Sequence, residues 1–593
     1  MAELDSSPPP APVVRFDDLV AGSAFGFDGW IGTLATSSIS EVPAVLQAAA
    51  AAAAGGLWAA GFVSYEAAPA FDSALAAAEP SDDVPLAWFA LFTDRTPFEL
   101  VQPRRQRPAP YGVSAWSSSI GQERFEADVG RIRDLIAKGD TYQVNHTMRL
   151  GASFSGDAFE FYRDLALAQQ GAYAAYLDVG RFQVASASPE LFYARSGRSI
   201  ITKPMKGTVR RGRWPEEDRR LHQWLDASEK DRAENLMIVD LLRNDLGRVA
   251  EFGSVSVDAL FDIERYATVW QATSTISAEL RADVSDADVF GALFPSGSVT
   301  GAPKPRTTEI IAELEGSPRG IYCGAIGFLA PPDSGGPDAE FSVAIRTVVV
   351  DATEGTASYG VGGGITWDSS PSGEYEEARD KARVLVERRP DFELLETLRW
   401  EPGSGFPLLD QHLDRMGDSA SYFGFAFDRA ACATALADAV SASLTTSRLR
   451  LVSDRNGSVK VEAEELVEVV QPVRLVVDDE PVSSRNVFLF HKTTNRREYA
   501  ERAARHPDAS DVLLVNERGE VTESTVANVL VKLDGHWYTP PLESGLLPGL
   551  GRQMTLGRGD VKERVILAAE LPDAEEMALV NSVRGRMTAL LVP

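Results

Sequence analysis

The chain has 593 residues, too many for one core, and its length alone is that of roughly three or four folding units. Hydrophobic residues make up 44% and charged residues 24%, the balance of an ordinary globular protein rather than of a disordered or membrane-embedded one. A formal charge of −28 would repel a polyanion, which excludes a nucleic-acid or anionic-membrane partner.

The first residues, Met1–Asp5, are acidic and lack the basic head of a secretory signal. With the Pro-rich stretch Ser6–Pro12 they are expected to form a disordered tail over 1–12. No apolar stretch approaches the ~20 residues of a membrane span. The Ala-rich run Ala44–Ala60, interrupted by Gln47, Gly55 and Gly56, is predicted as a buried or amphipathic helix with a break. The two cysteines, Cys323 and Cys432, lie far apart in different predicted domains, so no disulfide framework is expected and the compartment is a reducing one. Together these features predict a cytoplasmic protein.

Between about Val13 and Pro110 short apolar runs alternate with loops. Gly61–Glu66 and Leu86–Phe92 are predicted as buried strands, and Val101–Ala109, rich in Pro, Arg and Gln, as an exposed connection. A helix is predicted over Gln122–Ala137, with Phe125, Val129, Ile132, Leu135 and Ile136 on one face. From there to Arg389 strands and helices mix without a regular βαβ repeat. This is the pattern of an α+β domain with large, mostly antiparallel sheets and outer helices. Ala330–Asp338 is predicted as a turn between two strands. A helix from Glu374 to Arg389 ends where Pro390 blocks its continuation, and a unit of normal domain size fills the remainder. The expected division is a first domain over 13–390, with an N-terminal subdomain (13–115) and a core (120–390), then a second domain over 391–593.

Lys206 lies in Thr202–Thr208, between a Pro-hydrophobe pair and Gly-Thr. A lone lysine in such a turn is most often a solvated surface residue. Its company reverses that reading: Glu229–Arg248, Tyr142–Asn145, Ser188–Phe192, Pro295–Lys304 and Gly360–Ile365. Together these segments resemble the chorismate-utilising enzymes, which include anthranilate synthase, isochorismate synthase and aminodeoxychorismate synthase component I. Anthranilate synthases carry alanine at the position of Lys206, and lysine there marks the aminodeoxychorismate synthases. One departure also points away from anthranilate synthase: Gln271, in Val269–Ser274, stands where those enzymes have histidine.

The resemblance implies a site over the first 390 residues. Replacing the 4-hydroxyl of chorismate by an amine needs charge neutralisation, a proton for the leaving group and a nucleophile. Glu234 and Glu377 match the family's ligands for Mg2+, a hard cation that prefers oxygen donors, and Glu374 is a nearby supporting or water-mediated ligand. Asp231, one turn before Glu234, is left without a role. Glu190 matches the general acid, and Lys206 the nucleophile that attacks C2 before ammonia displaces it. A desolvated setting beside other cations is expected to lower the Lys206 pKa. Tyr322, Arg346, Thr300, Gly301 and the backbone of Gly362, Gly363 and Gly364 match the substrate-binding positions.

The second domain carries Glu396–Arg399, His412–Met416, Lys492–Arg496, Val521–Asn528 and Leu546–Arg552. These resemble fold-type IV pyridoxal-phosphate enzymes, an α/β fold of two subdomains that includes 4-amino-4-deoxychorismate lyases, branched-chain aminotransferases and D-amino-acid aminotransferases. By that resemblance Lys492 is the Schiff-base lysine, Glu523 the partner of the pyridine nitrogen and Arg415 the phosphate arginine. Amides near Leu550 and Gly551 add phosphate donors. Free-standing members open with a further β-hairpin that is missing here, so the first domain is expected to complete the edge of the second.

The two resemblances imply successive reactions, amination of chorismate to 4-amino-4-deoxychorismate and then loss of pyruvate to leave para-aminobenzoate. An amino-acid aminotransferase and a catalytically idle docking or dimerisation module stay open as alternatives for the second domain. Cys323, in a strand-like setting, and Cys432, in an Ala-rich helix, are read as small buried residues rather than as a glutaminase nucleophile. The expected partners are therefore chorismate, ammonia, a separate glutaminase subunit and, through the C-terminal domain, a second copy of the chain.

Overall fold

The computed structural model describes residues 11–81, 83–103, 110–266, 268–386, 390–441 and 443–592. Residues 1–10 of the expected tail and 104–109 of the expected connection lie outside the described residues. The chain divides into two compact units: unit 1 is Met1–Arg211 with Leu221–Arg389, and unit 2 is Gly212–Arg220 with Pro390–Pro593. A division at one point in the sequence therefore misplaces Gly212–Arg220.

Among the described residues unit 1 is built on 19 strands joined by antiparallel pairings. Trp58–Val63 is buried at every position, as a strand covered on both faces must be, and lies between Ala87–Phe98 and Ala325–Leu329. The expected strand Gly61–Glu66 is cut short, because the chain turns into a 3-10 helix at Tyr65–Ala70 that buries Tyr65 and Glu66. The Ala-rich run is helical over Val42–Ala54 only. Gly56, at φ +98°, turns the chain out of the helix and into the strand. Helix Gln122–Ala137 has the predicted bounds and buries Phe125, Val129 and Ile132. Ala330–Asp338 joins the strands Ala325–Leu329 and Ala339–Val343.

The strand Thr356–Ile365 carries the glycine run and pairs antiparallel with Gln143–Gly156, Gly362 facing Thr147, Gly363 facing His146 and Gly364 facing Asn145. Helix Pro371–Ala382 packs against it. It ends earlier than the predicted Glu374–Arg389, since a 3-10 turn at Arg383–Leu385 brings Leu385 into the core; residues 387–389 lie outside the described residues. Cys323, predicted in a strand, sits in a turn at φ +64°.

Unit 2 has two sheets, each with its own core. The strands Leu394–Trp400, Ser447–Ser453 and Val459–Glu465 are antiparallel, and helices Leu409–Phe423 and Arg429–Ala439 supply Leu413, Met416, Cys432 and Leu436 to the core beneath them. The second sheet has eight strands and mixes parallel with antiparallel pairs. The open edge of Leu394–Trp400 is met by the unit's own Lys492–Thr494: Leu395 N donates to the Lys492 carbonyl at 3.0 Å, and Thr494 N to that of Glu393 at 2.9 Å. Among the described residues no helix is long and apolar enough to cross a membrane.

Gly61 marks how tightly unit 1 is packed, since a Cβ there would lie 1.8 Å from the Trp88 carbonyl oxygen. Gly61→Ala is expected to cost about 3 kcal/mol, read as a lower midpoint of chemical unfolding. An unchanged midpoint would mean that the strand pair relaxes freely.

Candidate active sites

Lys206 projects from a distortion in the sheet. Met205–Arg210 pairs with Val269–Glu279, but the register slips between Met205 and Thr208, leaving Lys206 and Gly207 in the irregular stretch. Gly207 adopts φ +99°, a conformation that a side chain would make costly. Gln271 braces the bend by donating from Nε2 to the Gly207 carbonyl at 2.8 Å and accepting from Thr208 Oγ1 at 2.7 Å. Asn235 Nδ2 donates to the Lys206 carbonyl at 3.3 Å.

Three carboxylates surround the Lys206 amine. Its Nζ lies 3.0 Å from Glu234 Oε2, and the other Glu234 oxygen accepts from Thr366 Oγ1 at 3.2 Å. Glu374 accepts from Ser369 Oγ at 2.6 Å, and Glu377 pairs with Lys381 at 2.7 Å. The glycine strand is the floor: a Cβ on Gly363 would lie 3.3 Å from Glu374 Oε2, and one on Gly364 would lie 2.9 Å from Lys206 Nζ. The expected lowering of the Lys206 pKa is not found. Burial acts in that direction, but Glu234, Glu377 and Glu374 hold it above the ordinary lysine value, because the neighbours are anions rather than cations.

An oxygen-only set of carboxylates has the donor chemistry that suits a hard divalent cation. Here Glu234 and Glu377 each face a lysine, and among the described residues no three acidic, His or Cys side chains share one coordination shell. Asp231 belongs to the helix start instead, where its carboxylate accepts from Ser228 Oγ.

Glu190 lies between the strands Phe182–Ser188 and Leu191–Ser196, is only 3% exposed, and accepts from Ser298 Oγ. Burial pushes its carboxyl up to about 7, against the Ser298 hydrogen bond and the Lys206 charge. The remaining expected residues are held by contacts of their own. Arg346 donates to the Lys381 carbonyl, and Lys381 Nζ donates to that of Gly362 at 2.9 Å. The Tyr322 ring lies against Gly360, and a Cβ on Gly362 would meet the His146 carbonyl at 2.0 Å. Thr300 donates to the Ser296 carbonyl at 3.0 Å, and Gly301 presses on the Gln143 carbonyl.

Two residues without an expected role also stand here. Gln143 is wholly buried, its amide meets no protein partner, and it faces Gly364 beside Lys206. Lys381 follows Glu377 by one helical turn, a spacing that was visible in the sequence. Neither cysteine is activated: burial raises the Cys323 thiol to about 11 and also raises that of Cys432.

In unit 2 burial and nearby arginines act together. The Lys492 amine is lowered to about 8 by burial and by Arg415 and Arg496, while Glu396 and Glu523 oppose the shift. Glu523 is buried; its Oε1 accepts from Tyr499 OH at 2.8 Å and Leu547 N at 3.2 Å, and its Oε2 from Asn528 Nδ2 at 3.0 Å. Burial raises its carboxyl to about 7. Arg415 bonds both oxygens of Glu396 at 2.8 Å and the Pro548 carbonyl at 3.2 Å. Two of its five N–H donors stay uncommitted by these bonds.

Helix Leu550–Gly557 begins two residues after Pro548, and no side chain caps its Gly549 start. The first-turn amides, including those of Leu550 and Gly551, have no acceptor within the helix. Gly549 permits this close approach, since a Cβ would lie 1.9 Å from Asn528 Oδ1. An arginine beside open helix amides, a buried amine and a buried acid are the groups that pyridoxal phosphate requires. His412, Tyr499 and Asn528 escaped role assignment, although His412 and Asn528 lie in motifs already singled out. His412 Nδ1 lies 2.7 Å from Glu396.

The profile for chorismate binding enzymes matches residues 19–387, and that for amino-transferase class IV matches residues 393–590. An aminodeoxychorismate synthase of Streptomyces griseus is 47% identical over 253 residues, 42% of this chain and 34% of that protein. Aminodeoxychorismate synthase component 1 of Bacillus subtilis strain 168 is 39% identical over 290 residues, 49% of this chain and 60% of that protein. The chain thus spans less than two thirds of the length of these curated relatives. The crystal structure of anthranilate synthase component I from Streptococcus pneumoniae TIGR4 is similar at a TM-score of 0.50 and 26% identity, covering 65% of this chain and 94% of that one.

Glu190 and Glu523 make folding depend on pH in a defined direction. A carboxyl raised from 4.5 to about 7 binds a proton in the folded chain that the unfolded chain has released. Stability from this source is complete below the unfolded value and falls as pH rises toward 7. Glu523→Gln should shrink the drop in melting temperature between about pH 5 and about pH 7.5, measured by calorimetry. An unaltered drop would mean that this carboxyl titrates like an exposed one.

Proposed function

Since the chain belongs to the chorismate binding enzyme family, we propose that unit 1 aminates chorismate at C4 to give 4-amino-4-deoxychorismate. Unit 2 then removes pyruvate from that product and leaves para-aminobenzoate. The observation that carries the reading is Lys206, a buried amine 3.0 Å from Glu234, at the position where anthranilate synthases have alanine. The class IV match of residues 393–590 supports the second step, since lyases of this fold consume the product of the first.

In the first step the Lys206 ammonium passes a proton to Glu234, 3.0 Å away, its freed Nζ bonds to C2, and Glu190 gives its proton to the departing 4-hydroxyl. Ammonia then adds at C4 as the bond between C2 and Nζ breaks. Glu234 and Glu377, with Glu374 behind them, would hold Mg2+, which neutralises the ring carboxylate. Arg346, Tyr322, Thr300, Gly301 and the bare backbone of Gly362–Gly364 define where the substrate carboxylates sit. A glutaminase supplies the ammonia, and neither Cys323 nor Cys432, both raised by burial, is its nucleophile.

In the second step Lys492 would anchor pyridoxal phosphate, Arg415 and the amides of Leu550 and Gly551 would hold its phosphate, and Glu523 would pair with its ring nitrogen. The bound cofactor withdraws electrons from the carbon that bears the substrate amine. The Lys492 amine takes the proton from that carbon and returns one to the departing enolpyruvyl group. Release of pyruvate without an amino acceptor separates this activity from transamination.

The test supplies chorismate, Mg2+, pyridoxal phosphate and an ammonium salt, and follows para-aminobenzoate, anthranilate and pyruvate. Lys206→Ala should stop the sequence before amination. Lys492→Ala should accumulate 4-amino-4-deoxychorismate without pyruvate. Glu190→Gln should slow amination at least about a hundredfold. Normal para-aminobenzoate output from Lys492→Ala would eliminate the lyase assignment, and normal amination by Lys206→Ala would eliminate the nucleophile.

A further inference from the structure

Gly212–Arg220 follows the Lys206 strand in sequence but belongs to unit 2 by its packing. Trp214 is 4% exposed and stacks on Phe490, with ring centroids 5.2 Å apart and planes 24° from parallel. The Arg213 guanidinium lies 4.8 Å from the Trp214 ring and 5.3 Å from the Phe490 ring. The same side chain donates to the Ser484 carbonyl at 3.0 Å and is clamped by Glu217 at 3.0 Å. Gly212 N donates to Asp218 at 2.8 Å, so the segment is also tied to itself.

The Trp214 ring is part of a small core that contains Val482, Leu489, Phe490, Tyr499 and Leu514. Two of these lead to groups assigned to the cofactor. Phe490 precedes Lys492 by two residues, and Tyr499 OH bonds Glu523 at 2.8 Å. Interiors are packed densely enough that removing an indole shifts its neighbours rather than leaving them in place.

We propose that Trp214 is a positioning residue of the second active site, setting Lys492 through Phe490 and Glu523 through Tyr499. It acts through other residues and touches neither reacting group. The pyridoxal-phosphate half is therefore incomplete without a segment encoded inside the first half. This inference rests on the reading of unit 2 as the pyridoxal-phosphate lyase.

The experiment compares the unsubstituted full chain with Trp214→Ala, Trp214→Phe and Arg213→Ala. The readouts are the visible absorbance of bound pyridoxal phosphate with its pH midpoint, kcat and KM for pyruvate release from supplied 4-amino-4-deoxychorismate, and amination of chorismate. Trp214→Ala should lower kcat for pyruvate release about tenfold, with KM little changed, a shifted pH midpoint and amination intact. Trp214→Phe should restore both quantities. If Trp214→Ala fails to fold, Arg213→Ala, which loosens the segment without opening the core, should shift them in the same direction by less. An unaltered midpoint and kcat in either loosened variant, or an equal loss of both reactions, would overturn the proposal. If the unsubstituted chain releases no pyruvate, the lyase reading fails, and the absorbance midpoint still decides the role of Trp214.

Discussion

An amine removed from water gives up its proton more readily unless nearby charge holds it. Both units bury an amine, and the balance of surrounding charge differs, all acidic at Lys206 and mixed at Lys492. Lys206 faces Glu234, Glu374 and Glu377 and is held above its ordinary value, whereas Lys492 faces Arg415 and Arg496 and is lowered to about 8. Much local architecture serves these two fields. The irregular strand at Gly207, braced by Gln271, projects the first lysine toward its carboxylates. The bonds from Leu395 N to the Lys492 carbonyl and from Thr494 N to the Glu393 carbonyl fix the second.

Each lysine also has a buried acid in its unit whose carboxyl is raised to about 7, Glu190 in one and Glu523 in the other. The causes are alike, since burial dominates in both, but the hydrogen bonds differ. Glu190 accepts from one serine, whereas Glu523 is held by Tyr499, Asn528 and a backbone amide. The looser acid suits proton delivery to a leaving group, and the clamped one suits a fixed partner for a ring nitrogen.

The sequence motifs located the residues that the fold brings near Lys206 and Lys492, because spacing along strands and helices survives folding. Three features were not legible for physical reasons. The sign of the field at Lys206 depends on which charges face the amine in space, and the motif does not state that. Gln143 was part of a singled-out segment, but its lack of a hydrogen-bond partner exists only in the packed state. Gly212–Arg220 is rich in charged residues, and only packing shows that Trp214 joins the core around Phe490. The strand predicted to Glu66 and the helix predicted from Glu374 both stop early where a 3-10 turn, at Tyr65–Ala70 and at Arg383–Leu385, buries a side chain that a continued strand or helix would have turned elsewhere.

The floor beneath Lys206 has a consequence for how such a site can change. Gly362, Gly363 and Gly364 contribute only peptide groups, and a Cβ at Gly362 or Gly364 would collide with the chain or with the catalytic groups. At Gly362 the obstacle is backbone, so there the surface contributes peptide dipoles alone. Any divergence in nucleophile or leaving group must be encoded on the facing elements, the Lys206 strand and the helices carrying Glu234 and Glu377. A change at position 206 alters the facing amine and leaves that strand of peptide groups as it is.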